Sequence, residues 1–194
     1  MRWRAAPGID IGLRQVLPSP VPSPERAWLG VLAELEAREM DIAVIPAEAG
    51  AARFHVRPLY DEDFVIGVRA GHSFAAEPTL ERFCALRHVV VSLTGDPTGF
   101  VDAVLAERGV ARRVALTVPN FAMALAVVAD GDLAGALPRR FLAMHGRRFG
   151  VVAVEAPLPL PVFRLNAVVP KAALMDDGVA WLLDGLGESP CPRV

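Results

Sequence analysis

The segment SLTGDPTG, residues 92–99, concentrates residue types that bind small polar ligands. It follows a run that predicts a strand and precedes a pattern that predicts a helix. Hydroxyls and free backbone N–H groups at such a junction lie at a helix N-terminus, where the dipole favours an anion or a carboxylate. This chemistry makes Ser92, Thr94 and Thr98 candidate ligand donors. The alternative is simple capping of the helix by Asp96, as its N-cap, and by Thr98.

The other residues of chemical interest argue against catalysis and against a metal. The four histidines are scattered, and without a CxxC or HExxH pattern we expect no metal site. Residues 71–75 half-resemble a nucleophile elbow, but they lie in a polar loop. No phosphate-binding or dinucleotide fingerprint is present, so we predict no catalytic residue and no cofactor. Paired arginines are typical of a solvated face and occur at 112–113, 139–140 and 147–148.

The composition is that of a soluble globular protein. The chain has 194 residues, of which 53% are hydrophobic and 22% charged, and its net charge is -2. This balance gives no field for non-specific binding of nucleic acid. The longest apolar run is far shorter than the ~20 residues of a membrane helix. Pro7, Gly8 and Asp10 interrupt the place of a signal-peptide core, which predicts a cytoplasmic protein.

Strand-like and helix-like patterns alternate along the chain, with a Pro/Ser loop at 18–24. Helices are predicted at residues 25–40, 79–86, 97–108, 121–129, 138–144 and 172–186. Extended runs are predicted at residues 9–16, 42–45, 64–68, 89–92, 114–118, 133–137, 151–154 and 163–169. The helix at 121–129 is apolar on all sides, which indicates burial between two layers. The alternation indicates an α/β fold with mostly parallel sheets and helices on both faces.

Several stretches, read in order, resemble the effector-binding domain of LysR-type transcriptional regulators. The coverage runs from about residue 5 to residue 187, and the order and spacing of the motifs are more specific than any one of them. The stretches are PGIDI at 7–11, LEAREMDIAV at 35–44, PLYDE at 58–62, HVVV at 88–91, VDAVLAERGVARR at 101–113, VP at 118–119, LAGALP at 133–138 and WL at 181–182. Arg38 stands where the family often has Gly.

The resemblance implies a two-lobed, type 2 periplasmic-binding-protein-like fold with a small-molecule effector in the cleft between the lobes. Residues 1–67 and 160–194 would form lobe I, and residues 68–159 would form lobe II. The resemblance then places Asn120 and Phe121, which open a second helix, beside the hydroxyl segment. Pro46 and Ala47, which follow the strand at 42–45, would form the wall contributed by lobe I. Donors at a helix start suit a carboxylate or similarly polar effector with an apolar body.

The resemblance also implies an effector sensor that performs no chemistry and is coupled to DNA binding elsewhere. No helix-turn-helix is present in this chain, and the family's first strand and first helix also have no counterpart. We expect the chain to self-associate, since the absent helix would leave an apolar surface uncovered. Two alternatives remain open, a stand-alone solute-binding protein and an enzyme built on the same two-lobed fold.

Overall fold

The computed structural model describes residues 8–16, 28–46 and 52–187. Its helices are α1 (Leu29–Glu36), α2 (Leu80–Ala85), α3 (Phe100–Ala106), α4 (Phe121–Asp130), α5 (Arg139–Phe149) and α6 (Asp177–Gly187). Its strands are β1 (Ala43–Ile45), β2 (Phe54–Glu62), β3 (Phe64–Arg69), β4 (Arg87–Val91), β5 (Arg113–Val118), β6 (Leu133–Pro138), β7 (Val151–Val154) and β8 (Phe163–Pro170). Short 3-10 turns lie at Ser73–Ala75 and Lys171–Met175. None of the helices in these described ranges is long and apolar enough to span a membrane.

The chain divides into two compact units. Unit 1 combines the described residues up to Asp61 with those from Phe163 onward, and unit 2 is Glu62–Val162. The first boundary lies a few residues before the position expected from the sequence, residue 67. Only Asp63 separates β2 from β3, so no turn signal marks the junction between the two strands.

Unit 1 contains a three-stranded sheet in the order β1-β8-β2. Strand β1 is antiparallel to β8, with Ala43 opposite Val168 and Ile45 opposite Asn166. Helix α1 joins the same apolar cluster through its two buried residues, Val31 and Leu35. Helix α1 thus covers one face of this sheet.

Unit 2 contains a five-stranded sheet in the order β5-β4-β6-β3-β7. Strand β4 is parallel to both of its neighbours, β5 and β6. Strand β3 is antiparallel to β6 on one side and to β7 on the other. Four strands therefore point one way, and β3, the first strand of the unit, points against them.

The α/β class is confirmed, but the expectation of mostly parallel sheets needs correction. Three of the pairings described above are antiparallel, one in unit 1 and two around β3. The alternation of strands and helices reveals crossovers but not the direction of a strand inserted between two others. The parallel arrangement is limited to the β5-β4-β6 part of unit 2.

Other differences from the predicted elements are local. Residues 8–16 contain no strand, and β2 lies where no strand was predicted. Helix α5 extends to Phe149 rather than ending near Met144. Helix α4 is not enclosed between two layers, because Met123 on its outer side is 51% exposed. The predicted Pro/Ser loop at 18–24 lies outside the described residues.

Candidate functional site

The carboxyl end of β4 is the point where the two crossover helices of unit 2 diverge. Helix α3 connects β4 to β5, and α4 connects β5 to β6 on the other side of β4. Helix α4 packs in a cluster with Val65, whereas α3 packs in a cluster with Ile66. Adjacent strand residues point to opposite faces, so the two helices cover opposite faces of the sheet. Such a switch point leaves a crevice that commonly binds ligands.

A cavity of about 70 Å³ lies at this switch point. The end of β4, the start of α3, the first residue of α4, β6 and one arginine line it, and it is partly open to solvent. The lining residues are Val89, Val90, Val91, Gly99, Phe100, Val101, Arg112, Phe121 and Ala136. Most of this wall is apolar, so the cavity suits the apolar part of a small molecule.

Arg112 contributes the charged group of the wall, and it is not part of a solvated face as its pairing with Arg113 indicated. Its side chain is only 2% exposed. Its Nε donates to Asp102 Oδ1 at 2.9 Å, and its Nη2 donates to Asp102 Oδ2 at 2.7 Å. Within the described residues, Nη1 has no hydrogen-bond partner. A buried, ion-paired arginine therefore lines the cavity and keeps a donor to spare.

Asp102 links this arginine to the start of α3. Its Oδ2 also accepts the backbone N–H of Gly99, the N-cap residue of the helix, at 2.8 Å. Burial acts to raise the pKa of Asp102, but the hydrogen bonds and the charge of Arg112 outweigh it and leave the pKa below its usual value. Asp102 is thus ionised at neutral pH, and it holds the end of the hydroxyl segment in place.

The hydroxyl segment folds on itself more than the sequence indicated. Asp96 does not cap α3, whose N-cap is Gly99. Its carboxylate instead accepts both the backbone N–H of Thr98, at 2.8 Å, and the Thr98 hydroxyl, at 2.6 Å. These hydrogen bonds lower the pKa of Asp96. The hydroxyl proton of Thr98 is therefore already used within the segment.

The other two predicted donors lie closer to the strand. Ser92 directly follows the lining residue Val91, and its backbone N–H donates to Val118 O at 2.8 Å. The hydroxyls of Ser92 and Thr94 are 3.3 Å apart. Because either hydroxyl can act as the donor in this pair, the pair keeps one O–H group for a further acceptor.

Asn120 and Phe121 open α4 as predicted. Asn120 Oδ1 accepts the backbone N–H of Met123 at 2.9 Å, which is ordinary N-capping. Phe121 lines the cavity, with its ring centroid 6.1 Å from that of Phe64. The N–H groups of Phe121 and Ala122 have no partner within the described residues. These two donors at the positive end of a ten-residue helix are available to a polar group.

The two predicted residues of unit 1 are described only in part. Pro46 directly follows β1 and is half-buried. Ala47 lies outside the described residues. Their role as a ligand wall stays a prediction.

The buried His88 of β4 was not predicted from the sequence as part of this region. Its Nε2 donates to Phe83 O at 2.8 Å, and its Nδ1 has no partner among the described residues. Burial lowers the pKa of His88 to about 4, with the Arg112 charge acting in the same direction. The imidazole is therefore neutral at pH 7. The apolar run around it was the available signal, since a histidine inside a buried strand cannot stay solvated.

Nothing in the described ranges resembles a metal centre, because no group of three His, Cys, Asp or Glu side chains there is placed to hold an ion. The chemical capacity of unit 2 is instead that of binding. It combines an apolar wall, a buried guanidinium, a hydroxyl pair and the start of a helix.

Sequence comparison identifies the relatives of the chain. Residues 25–190 match the LysR substrate binding domain family. The chain is 31% identical over 139 residues to the HTH-type transcriptional activator NahR of Pseudomonas putida, an overlap of 71% of this chain and 46% of that protein. The chain spans about half the length of the curated relatives it matches.

Structural comparison agrees with the sequence match. The regulatory domain of MexT, a transcriptional activator in Pseudomonas aeruginosa, is 25% identical with a TM-score of 0.65, and the overlap covers 80% of this chain and 75% of that chain. The effector binding domain of QuiR in complex with shikimate is 14% identical to this chain with a TM-score of 0.61. The overlap covers 81% of this chain and 75% of that chain. The expected periplasmic-binding-protein-like fold is thereby confirmed. The chain therefore belongs to the LysR substrate-binding domain family, the effector-sensing domains of LysR-type transcriptional regulators.

Proposed function

We propose that the chain binds a small-molecule effector at the cavity of unit 2. Effector binding is coupled to the activity of a DNA-binding module outside this chain. One observation carries the proposal. The cavity at the carboxyl end of β4 brings an apolar wall together with the buried guanidinium of Arg112. A few placed polar groups on a largely apolar wall are the usual composition of a small-molecule site.

The polar head of the effector, a carboxylate, binds at the Ser92–Thr94 hydroxyl pair and at the free N–H groups of α4. Its apolar body contacts Phe121 and enters the cavity. Thr98 contributes less as a donor than the other two hydroxyls, because its proton is already given to Asp96. The ionised Asp96 also repels an anion placed beside Thr98. QuiR, whose effector domain was solved with shikimate, supports a polar organic acid as the first class to test.

Regulation then works by a shift of populations. An effector changes the state of a regulator only to the extent that it binds one state more tightly than the other. The chain performs no chemical step in this proposal, acts in the cytoplasm as a homo-oligomer and needs no cofactor. Its net charge of -2 gives it no general affinity for DNA, so operator binding depends on a helix-turn-helix domain.

The experiment is a thermal-shift screen of organic acids on the chain, followed by titration of the best binder. Ser92→Ala and Thr94→Ala should each weaken binding of a carboxylate by roughly 1.5–3 kcal/mol, the usual contribution of a hydrogen bond to a charged group. Thr79→Ala is the matched control, since Thr79 caps α2 by accepting the N–H of Arg82 and lies outside the cavity wall. Equal affinities in all three variants and the wild type would refute this site.

A further inference from the structure

Arg112 lines the cavity while its guanidinium forms a balanced ion pair with Asp102. Two of its nitrogens bind the two oxygens of Asp102. The remaining nitrogen, Nη1, has no partner within the described residues. The side chain as a whole is only 2% exposed. A donor of this kind gains a hydrogen bond when a ligand oxygen enters.

The local charges decide which oxygen fits. The positive charge of Arg112 is already neutralised by the carboxylate of Asp102 at 2.7 Å. The nearby imidazole of His88 is neutral, since burial lowers its pKa to about 4. A second carboxylate placed here would be repelled by Asp102 and desolvated by the apolar wall. A carbonyl, hydroxyl or ether oxygen meets the donor without that cost.

The size of the cavity limits what enters. Its volume of about 70 Å³ is roughly half of the 150 Å³ that holds a benzene molecule. A ligand therefore places only part of its body inside, such as a small branched group or the edge of a ring.

We propose that Arg112 is a specificity-determining residue that donates through Nη1 to an uncharged oxygen on the apolar part of the effector. Asp102 sets this preference by balancing the guanidinium charge. This inference rests on the proposed effector site and adds the chemical class of the group that enters the cavity. The effector is then an organic acid whose apolar body carries an uncharged oxygen, separate from its carboxylate head.

The test uses three small probes of similar shape, cyclopentanone, methylenecyclopentane and cyclopentanecarboxylate. Their dissociation constants are measured from the amide NMR shifts of Gly99 and Phe121 in the 194-residue chain. Cyclopentanone should bind the wild type roughly tenfold more tightly than methylenecyclopentane, because only the ketone accepts a hydrogen bond. Arg112→Lys should reduce this ratio to below about threefold, since an ammonium lacks the second arm of the fork.

A separate variant tests whether Asp102 sets the preference for an uncharged oxygen by balancing the charge of Arg112. Asp102→Asn leaves the guanidinium uncompensated, so cyclopentanecarboxylate should gain roughly tenfold relative to cyclopentanone. Arg113→Met is the control, because Arg113 is exposed on the neighbouring strand and should leave every ratio unchanged. If Arg112→Lys does not fold, the double variant Arg112→Met/Asp102→Leu removes both charges and should abolish the ketone preference.

The outcomes separate the two proposals. Probes that shift Gly99 and Phe121 without a ketone preference, or with a preference that Arg112→Lys leaves intact, overturn the role of Arg112 alone. An Asp102→Asn variant without the carboxylate gain overturns the charge-balance claim. Probes that shift neither amide at millimolar concentration overturn the cavity itself as a ligand site, and the proposed function with it.

Discussion

Arg112 and Asp102 form a two-point ion pair that joins the segment before β5 to the first turn of α3. The contact distances are 2.9 and 2.7 Å, and the guanidinium is almost completely buried. The same carboxylate holds the N-cap residue Gly99. One buried pair therefore fixes both the wall of the cavity and the end of the hydroxyl segment.

Asp102→Ala should be strongly destabilising, because it leaves a buried guanidinium without a counter-charge. Breaking one side of such a pair costs about 3–5 kcal/mol. Asp102 keeps some solvent access, with 23% of its side chain exposed, so we expect the lower end of that range. Urea unfolding at pH 7 measures the change.

Two matched variants show whether the loss comes from the unpaired charge. Arg112→Met/Asp102→Leu removes both charges and should be clearly more stable than Asp102→Ala. Asp184→Ala breaks the Arg57–Asp184 pair, in which the aspartate is 79% exposed, and should cost at most about 1 kcal/mol. Similar losses for Asp102→Ala and Asp184→Ala would contradict the buried-pair account.

The protein should lose folding stability in mild acid because the pKa of His88 is lowered in the folded state. Its pKa is about 4 in the folded chain against 6.5 for an ordinary histidine. Between these values the unfolded chain binds a proton that the folded chain does not. The free energy of unfolding should therefore fall as pH decreases from about 6.5 to 4, by up to about 3 kcal/mol.

His88→Gln isolates this contribution, since glutamine can still donate to Phe83 O but does not titrate. The difference between variant and wild type also subtracts other groups, including Glu62, whose pKa is raised by burial. Urea unfolding at pH 7.5 and pH 5 should show a smaller pH effect in the variant. An identical pH effect in both proteins would mean that His88 is not the group responsible.

The protein should be more stable with glycine in place of Arg38. It follows α1 in the left-handed region, with φ of 60°, and the N–H of Glu39 closes the turn on Glu34 O at 3.0 Å. A side chain in this conformation is strained by roughly 1–2 kcal/mol, and glycine is the usual residue at this helix end. Arg38→Gly should raise stability by about 0.5–1 kcal/mol. Ala37→Gly, in the right-handed region with φ of -72°, should lower it instead.

Unit 1 carries the surface that should drive self-association. Leu13 is 84% exposed and Leu29 is 52% exposed. Contiguous exposed apolar patches of a few hundred Å² commonly mark contacts with another molecule. We expect a dimer or larger species by light scattering at tens of micromolar, and Leu29→Glu should weaken it. Val162→Glu, at an exposed position of unit 2, is the control; a monomeric wild type would be the contrary result.

The sequence predicted most elements of unit 2 because their patterns are strong. Strands β4 and β5 are short apolar runs, and α4 begins at the Asn120 that was expected to open it. Strand β2 was missed because it contains Pro58, which lacks a ladder donor and argues against a strand. The direction of β3 could not be predicted, because the sequence pattern gives only the order of the elements and not the direction of each strand in the sheet.

The candidate site could be predicted less completely than the fold, and for a physical reason. Phe121 and Ser92 followed from helix and strand ends, but Arg112 was interpreted as exposed because paired arginines usually are. Its burial depends on Asp102, ten residues earlier, and only the fold shows that α3 brings the two together. The N-cap of α3 is Gly99 rather than the predicted Asp96 for the same reason. Asp102, inside the helix, accepts the backbone N–H of Gly99.

The most direct test of the account is a crystal structure of the chain with the tightest effector from the organic-acid screen. We expect ligand density at the carboxyl end of β4, against Phe121 and within hydrogen-bond distance of Arg112 Nη1 and of Ser92 or Thr94. Density elsewhere in unit 2, with the cavity unfilled and Arg112 Nη1 uncontacted, would contradict it.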